Sequence, residues 1–333
     1  MEFVRTPEER FVDLKDYPFG PHYVGIDAGD GGPLRVHYLD EGQGELLFCL
    51  HGQPSWSYLY RKMIPLLVEA GYRVVAPDLV GFGKSDKPIH RADYTYDGHV
   101  AWLTRVVEAL DLRDMTLVCQ DWGSLLGLRV VAEHPDRFTR VVLSNGGLPD
   151  GFGVPEEAAP AMRKMLAETP VLSAVDMKAK FDDPPRDRPA FMYWVRYCDA
   201  HPDFHPADVM ALMLRDCDEE ERRAWGAPFP SSESMAGARQ FPSLVPIIPD
   251  DPVIPANRTA WKVFESFDKP FLTAFASSDP ITKGGEKRFI ESVPGARGQK
   301  HEIIADAGHF IQDDAAQAFT RAIVDFVRAN PAS

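Results

Sequence analysis

The stretch Met115-Thr116-Leu117-Val118-Cys119-Gln120-Asp121-Trp122-Gly123 constrains the fold of this chain more than any other. Its first five residues form an apolar run of strand length. Ser124-Leu125-Leu126-Gly127-Leu128-Arg129-Val130-Val131 behind it reads as a helix. Only a sharp turn fits between the two, so the chain must rise along a strand, present one residue at an apex and drop into a helix. The apex residue is Asp121.

Short apolar runs recur along the chain in alternation with helical patterns: Leu46 to Leu50, Arg73 to Ala76, Met115 to Cys119 and Arg140 to Leu143. Such alternation predicts an α/β fold, a mostly parallel sheet covered by helices on both faces. Two strands are expected ahead of these, His22 to Ile26 and Leu34 to Leu39, joined by a turn at Gly29-Asp30-Gly31-Gly32-Pro33. The alternation breaks after Asn145 to Gly151. From there to about Phe241-Pro242 the pattern is helical and rich in Pro, Met and aromatics. Strands resume at Phe271 to Ala276 and Glu302 to Ala305. A last helix over Ala315 to Asn330 places Phe319, Ile323, Phe326 and Val327 on one face. The expected organisation is an eight-stranded core built from 1–151 and 244–333, with an all-helical cap, 152–243, inserted after the sixth strand.

Composition narrows the partners. Asp and Glu outnumber Lys and Arg 50 to 36, a formal charge of −14. That balance repels phosphate backbones and anionic membranes, which argues against nucleic acid or a membrane surface as a partner. Cys49, Cys119, Cys198 and Cys217 have no metal-type spacing, and two lie in expected buried strands, so free thiols in a reducing compartment are expected. The first residues, Met1 to Pro7, hold no apolar targeting segment, and no run approaches the ~18 apolar residues of a membrane span. The expected location is cytoplasmic. The sequence says nothing of oligomeric state.

Taken alone, an Asp at a strand end reads as a helix N-cap. Three further signals make Asp121 a nucleophile. Leu50-His51-Gly52-Gln53-Pro54 follows the third strand, Asp279-Pro280 lies just past the strand Phe271 to Ala276, and Asp306-Ala307-Gly308-His309-Phe310 follows the last strand. Strand, one-residue apex and helix resemble the nucleophile elbow of the α/β-hydrolases, whose order along the chain is nucleophile, acid, histidine. That elbow usually carries Ser. A carboxylate there can instead attack a saturated carbon and form an alkyl ester, which water must then hydrolyse. On this reading Asp121 is the nucleophile, with the positive end of a helix favouring its anion. His309 activates water, and Asp279 holds the imidazole and stabilises its charged form. The backbone N–H groups of Gln53 and Trp122 form the oxyanion hole. His51 is a rival base whose place in the turn before Pro54 marks it as structural. Asp306 is a rival acid, close enough to His309 in sequence to serve instead in fixing its loop.

Two chemistries suit an aspartate nucleophile. Epoxide opening makes an alkoxide and needs an acid such as a Tyr hydroxyl. Halide displacement needs only N–H donors in an apolar pocket, which indole supplies without an acceptor. Trp122 stands at a helix start, itself an anion site.

Nearly the whole chain resembles the haloalkane dehalogenases of the α/β-hydrolase fold. The resemblance is carried by His51-Gly52-Gln53-Pro54-Ser55-Trp56-Ser57-Tyr58-Leu59-Tyr60-Arg61, Pro77-Asp78-Leu79-Val80-Gly81-Phe82-Gly83-Lys84-Ser85-Asp86, Gln120-Asp121-Trp122-Gly123, Ala227-Pro228-Phe229-Pro230 and Asp306-Ala307-Gly308-His309-Phe310. It implies a small halogenated aliphatic substrate, water and a released halide, with no cofactor and no metal. It also implies a second halide-binding Trp in the cap, which the spacing from Ala227-Pro228-Phe229-Pro230 places at Trp194, with Phe191 lining the pocket. The chain is most similar to the subgroup whose acid follows the strand after the cap, and departs from it at Gln53, where Glu is common; a carboxamide there can offer an N–H to halide. Ser277-Ser278 stand where relatives often carry an extra acid, and Asn145 where some place the catalytic acid, a role Asn cannot fill. Trp56, Trp102, Trp225 and Trp261 read as core. Tyr193 and Tyr197 flank Trp194 and keep an epoxide-hydrolase reading open. A non-catalytic binding protein on this scaffold would need a broken site, and no catalytic position is lost. Gly81-Phe82-Gly83-Lys84-Ser85 is too short for a nucleotide-binding loop.

Overall fold

The computed structural model describes residues 1–29 and 32–332. Its main sheet has eight strands: β1 His22–Asp27, β2 Pro33–Gly42, β3 Leu46–Leu50, β4 Arg73–Pro77, β5 Met115–Cys119, β6 Phe138–Leu143, β7 Phe271–Ala276 and β8 Glu302–Ile304. They lie in the order β8-β7-β6-β5-β3-β4-β2-β1. β2 runs antiparallel to β1 and β4, and the rest are parallel. Of the turn expected between β1 and β2, Asp30 and Gly31 lie outside the described residues; Gly29 and Gly32 take the left-handed φ values of 91° and 82° that a tight turn requires.

Burial explains which strands were easy to read. Every residue of β3, β5 and β7 is buried, because both faces of the central sheet are covered, so these strands appear as unbroken apolar runs. The edge strand β1 buries only Ile26 and was legible mainly from its flanking turn. Helices α1 (Ile64–Glu69), α2 (Tyr96–Ala109) and α3 (Trp122–Glu133) connect the early strands. Between β6 and β7 run α4 (Ala159–Ala167), α5 (Ala174–Asp182), α6 (Ala190–Ala200), α7 (Pro206–Met213), α8 (Glu219–Gly226), α9 (Ala236–Leu244) and α10 (Ile254–Phe264), with no strand among the described residues. α10 belongs to the sheet layer, since its Asn257 accepts from Arg129 of α3 at 3.0 Å. After β7 come α11 (Glu286–Ser292), α12 (Ile311–Asp314) and α13 (Ala316–Ala329). α13 buries Phe319, Ile323, Phe326 and Val327, each worth roughly 1.5–3 kcal/mol of removal from water.

The helices of the β6–β7 segment are pinned to the sheet layer by buried charge. The Arg61 guanidinium, wholly enclosed, bonds Glu221 of α8 at 2.8 Å and also Asp313 of α12, while Lys62 reaches Asp313 at 2.6 Å. Burying such groups gains little net stability, but breaking one partner strands the others, so the network fixes geometry. Among the described residues no helix is long and apolar enough to cross a membrane, and the four cysteines are free.

Candidate active site

The sheet order brings the site together. From β3 the chain moves to β4 on one side, then returns to β5 on the other, so the connections that leave the carboxyl ends of β3 and β5 head in opposite directions. Such a switch point opens a crevice in a doubly covered sheet. Leu50 and Cys119, the last residues of β3 and β5, are direct partners. The turn carrying Gln53 therefore starts beside the turn carrying Asp121. Ile304 and Ala276 end β8 and β7 in the same register, so Asp279 and His309 emerge together on the far side of β6 from Asp121.

Asp121 occupies the N-cap position of α3, yet its side chain makes no capping hydrogen bond. Its backbone sits at φ 50°, ψ −131°, an unfavourable region for a residue with a side chain. Close packing around the turn holds it there. A Cβ on Gly52 would lie 2.2 Å from Asp121 Oδ1, and one on Gly123 would lie 2.3 Å from the Leu50 carbonyl oxygen. The freed carboxylate turns toward the crevice with 22% of the side chain exposed. Gln53 N–H donates to Asp121 Oδ1 at 2.7 Å. The Trp122 N–H, first in its helix, has no intrahelical acceptor.

His309 is buried, with Nε2 3.4 Å from Asp121 Oδ2 and Nδ1 3.1 Å from each oxygen of Asp279. A carboxylate only accepts, so Nδ1 carries a proton and Nε2 faces Asp121. Burial alone would lower the imidazole pKa, but Asp279 and Asp121 outweigh it and raise it to about 10. Asp279 shows the reciprocal effect. Burial resists its ionisation, yet His309 and donors from Thr282 and Ile281 carry its pKa below the ordinary carboxylate range.

The rival groups have other work. His51 Nε2 accepts from Leu79 N–H at 2.9 Å and Nδ1 meets the Gly52 carbonyl, so the ring is a fully bonded strut. Asp306 is exposed, and its backbone carbonyl takes the Arg215 guanidinium. Asn145 ties the strand ends together: it accepts from Ala276 N–H and donates to the carbonyls of Gly308 and His309. The sequence excluded Asn145 as an acid but did not reveal this brace. It also missed Gln120, whose carboxamide nitrogen lies 3.0 Å from His309 Nε2. A polar residue ending an apolar strand was the available signal.

A cavity of about 670 Å³ opens over Asp121, lined by Trp122, Leu125, Phe181, Phe191, Trp194 and Ile281 among others. It continues into a recess of about 30 Å³ between Asp121, His309, Gln53 and Phe310. Among the described residues, no acceptor takes the indole N–H of Trp122 or Trp194. Those of Trp102 and Trp261 go to the carbonyls of Ala28 and Leu148. Trp56 and Trp225 also lack an acceptor, but both are wholly buried and neither lines the cavity. Trp261 is core as expected, but its ring also forms part of the cavity wall. Tyr193 and Tyr197 do not line the cavity. Tyr193 faces Lys180 and Arg188 at 5.7 and 5.8 Å, and Tyr197 packs on His201 and Phe204. Gln53 lines both spaces, but its side-chain N–H donates to the Ala238 carbonyl at 2.8 Å.

The fold is that of an α/β-hydrolase, and the family model of the alpha/beta hydrolase fold matches residues 45–170. The chain is 43% identical to a haloalkane dehalogenase of Psychrobacter cryohalolentis, covering 99% of this chain and all of the relative. It is 45% identical to haloalkane dehalogenase 1 of Mycobacterium tuberculosis with the same coverage. Among solved structures it is similar to a tetrameric haloalkane dehalogenase from Paraglaciecola agarilytica, with TM-score 0.76 and 29% identity over 99% of this chain and 98% of the other. The chain belongs to the haloalkane dehalogenase family.

Proposed function

We propose that this chain hydrolyses the carbon–halogen bond of small halogenated aliphatic compounds, giving alcohol, halide and a proton. The observation that carries the reading is the pair of unclaimed indole N–H groups, Trp122 and Trp194, in an apolar cavity over Asp121. A departing halide needs such donors and no proton. An epoxide oxygen needs an acid, and the tyrosines nearest Trp194 point elsewhere.

In the first half-reaction Asp121 attacks the halogen-bearing carbon. The C–O bond forms as the carbon–halogen bond breaks, and the halide leaves toward Trp122 and Trp194. In the second, His309 Nε2 takes a proton from water, and the water oxygen bonds the ester carbonyl carbon of Asp121. The recess between Asp121 and His309 has room for one water. The Gln53 N–H, already bonded to Oδ1, and that of Trp122 receive the oxyanion. Collapse expels the alkoxide, which leaves as alcohol with one water proton; the other stays on His309 and passes to solvent. Esterification itself prepares this step. It cancels the Asp121 charge, one of the two that raise the His309 pKa, and so releases the imidazole to act as a base. Asp279 keeps the ring aligned. Residues 152–243 serve as the cap that supplies Phe191 and Trp194 to a core formed by 1–151 and 244–333, and the enzyme works in the cytoplasm.

Halide release from 1,2-dibromoethane and 1-bromobutane, measured beside hydrolysis of styrene oxide, tests the reading. Halide should appear in equal amount with alcohol. Epoxide turnover without halide release would defeat it.

A further inference from the structure

Gln120 is the residue immediately before the nucleophile, and it is fully buried despite its carboxamide. Its Nε2 lies 3.0 Å from His309 Nε2 and 3.1 Å from the His309 carbonyl oxygen, while its Oε1 is buried without a partner. The carbonyl oxygen can only accept, so the group turned toward His309 is the NH2 end. Nδ1 of His309 holds its proton against Asp279, which leaves a lone pair on Nε2 of the neutral ring. Two neighbours thus compete at one nitrogen. Asp121 favours a proton there, and the Gln120 N–H favours the bare lone pair.

We propose that Gln120 is a positioning residue that holds His309 in its neutral, proton-accepting form by donating a side-chain N–H to Nε2. This rests on the mechanism above. While Asp121 is an anion, two carboxylates bind the imidazolium and outweigh one amide. Once Asp121 is an ester, Asp279 alone remains, and the Gln120 dipole tips the ring toward neutrality. Water then displaces the amide at Nε2 and gives up its proton there. After the alcohol forms, the same N–H faces the new imidazolium N–H, and that opposition favours release of the proton to solvent. The charged groups facing His309 are Asp121 from the elbow, Asp279 from the end of β7 and, across a separate cleft that reaches the ring, Lys178, Asp182, Arg215 and Asp306. None of these supplies an N–H to Nε2 among the described residues. The orphaned Oε1 is a desolvation cost set against the two contacts that the amide nitrogen makes with His309.

The test is single-turnover kinetics with 1,2-dibromoethane, following ester formation and ester hydrolysis separately by rapid quench and intact mass from pH 5 to 10. Gln120→Met keeps the length and removes the donor; Gln120→Leu serves if that variant does not fold, as judged by circular dichroism. Ester formation should stay within about twofold of the wild type. The midpoint of ester hydrolysis should move to higher pH by about one unit, the shift expected for one hydrogen bond to the neutral form. An unmoved midpoint, or one moved to lower pH, overturns the proposal, even if both rates fall together as a purely structural role would require. Absence of any alkyl adduct in the wild type would instead defeat the dehalogenase mechanism itself.

Discussion

Gly52→Ala probes how closely Asp121, the proposed nucleophile, is held. Gly52 is not in the left-handed region, so Ala imposes no backbone strain, and its effect is purely steric. The added Cβ would meet Asp121 Oδ1 at 2.2 Å, Cβ at 2.5 Å and Cγ at 2.7 Å, none of which real contacts allow. Asp121 cannot rotate the clash away, because its own Cβ is part of it. The carboxylate must therefore shift by about 1 Å, a misplacement that costs on the order of 100-fold in rate. The move also lengthens the Gln53 N–H bond to Oδ1, a charge-assisted contact worth about 1.5–3 kcal/mol, which points to a loss of similar size. Initial rates of halide release should show kcat/KM reduced about 100-fold in a variant whose far-ultraviolet circular dichroism matches the wild type. A folded Gly52→Ala retaining activity within about fivefold would mean that the elbow has more room than the structure shows, and the argument from close approach would fail.

Other outcomes follow from the same geometry. Asp121→Ala should abolish halide release, and residual turnover would place the nucleophile elsewhere. His309→Gln should release one halide per chain and stop, with a single alkyl adduct on the Asp121 peptide in intact-mass data; an unmodified protein would show that His309 is needed for the first step. Trp194→Phe keeps the ring but removes a donor, so it should slow carbon–halogen cleavage by the equivalent of roughly 1–3 kcal/mol and abolish saturable quenching of Trp fluorescence by bromide. Unchanged bromide binding in that variant, with Tyr193→Phe or Tyr197→Phe inactive, would favour epoxide chemistry. The raised pKa of His309 also has a stability consequence. Its contribution is fully present below the unfolded value of about 6.5 and is lost as pH rises through about 10, because the folded state holds the proton longer. The difference in Tm between wild type and His309→Gln should shrink from pH 6 to pH 10, and a constant difference would contradict the paired-carboxylate account.

What could be read without coordinates was what local chemistry enforces. β3, β5 and β7 announce themselves as apolar runs because both sheet faces are buried, and the elbow because only a sharp turn joins Cys119 to the helix beginning at Trp122. Asp121, Asp279 and His309 stand within a few residues of strand ends, so the strand pattern alone set them at one edge of the sheet. Their meeting needed only the pairings of Cys119 with Leu143, Leu143 with Thr273 and Ala276 with Ile304, which a parallel sheet of this order supplies. The rest depended on contacts between distant residues. An α-helix turns about 100° per residue, so whether Trp194 or Tyr193 faces the cavity hangs on one position of rotation of α6, which packing against neighbouring helices decides. The Gln53 carboxamide was open to a halide by sequence, and a carbonyl 185 residues away, that of Ala238, took one of its N–H groups. Gln120 was merely a polar end to a strand until the fold set its amide against His309, 189 residues further on. Hydrogen-bond partners separated by that much chain leave no periodicity in the sequence; only the folded arrangement brings donor and acceptor within 3 Å.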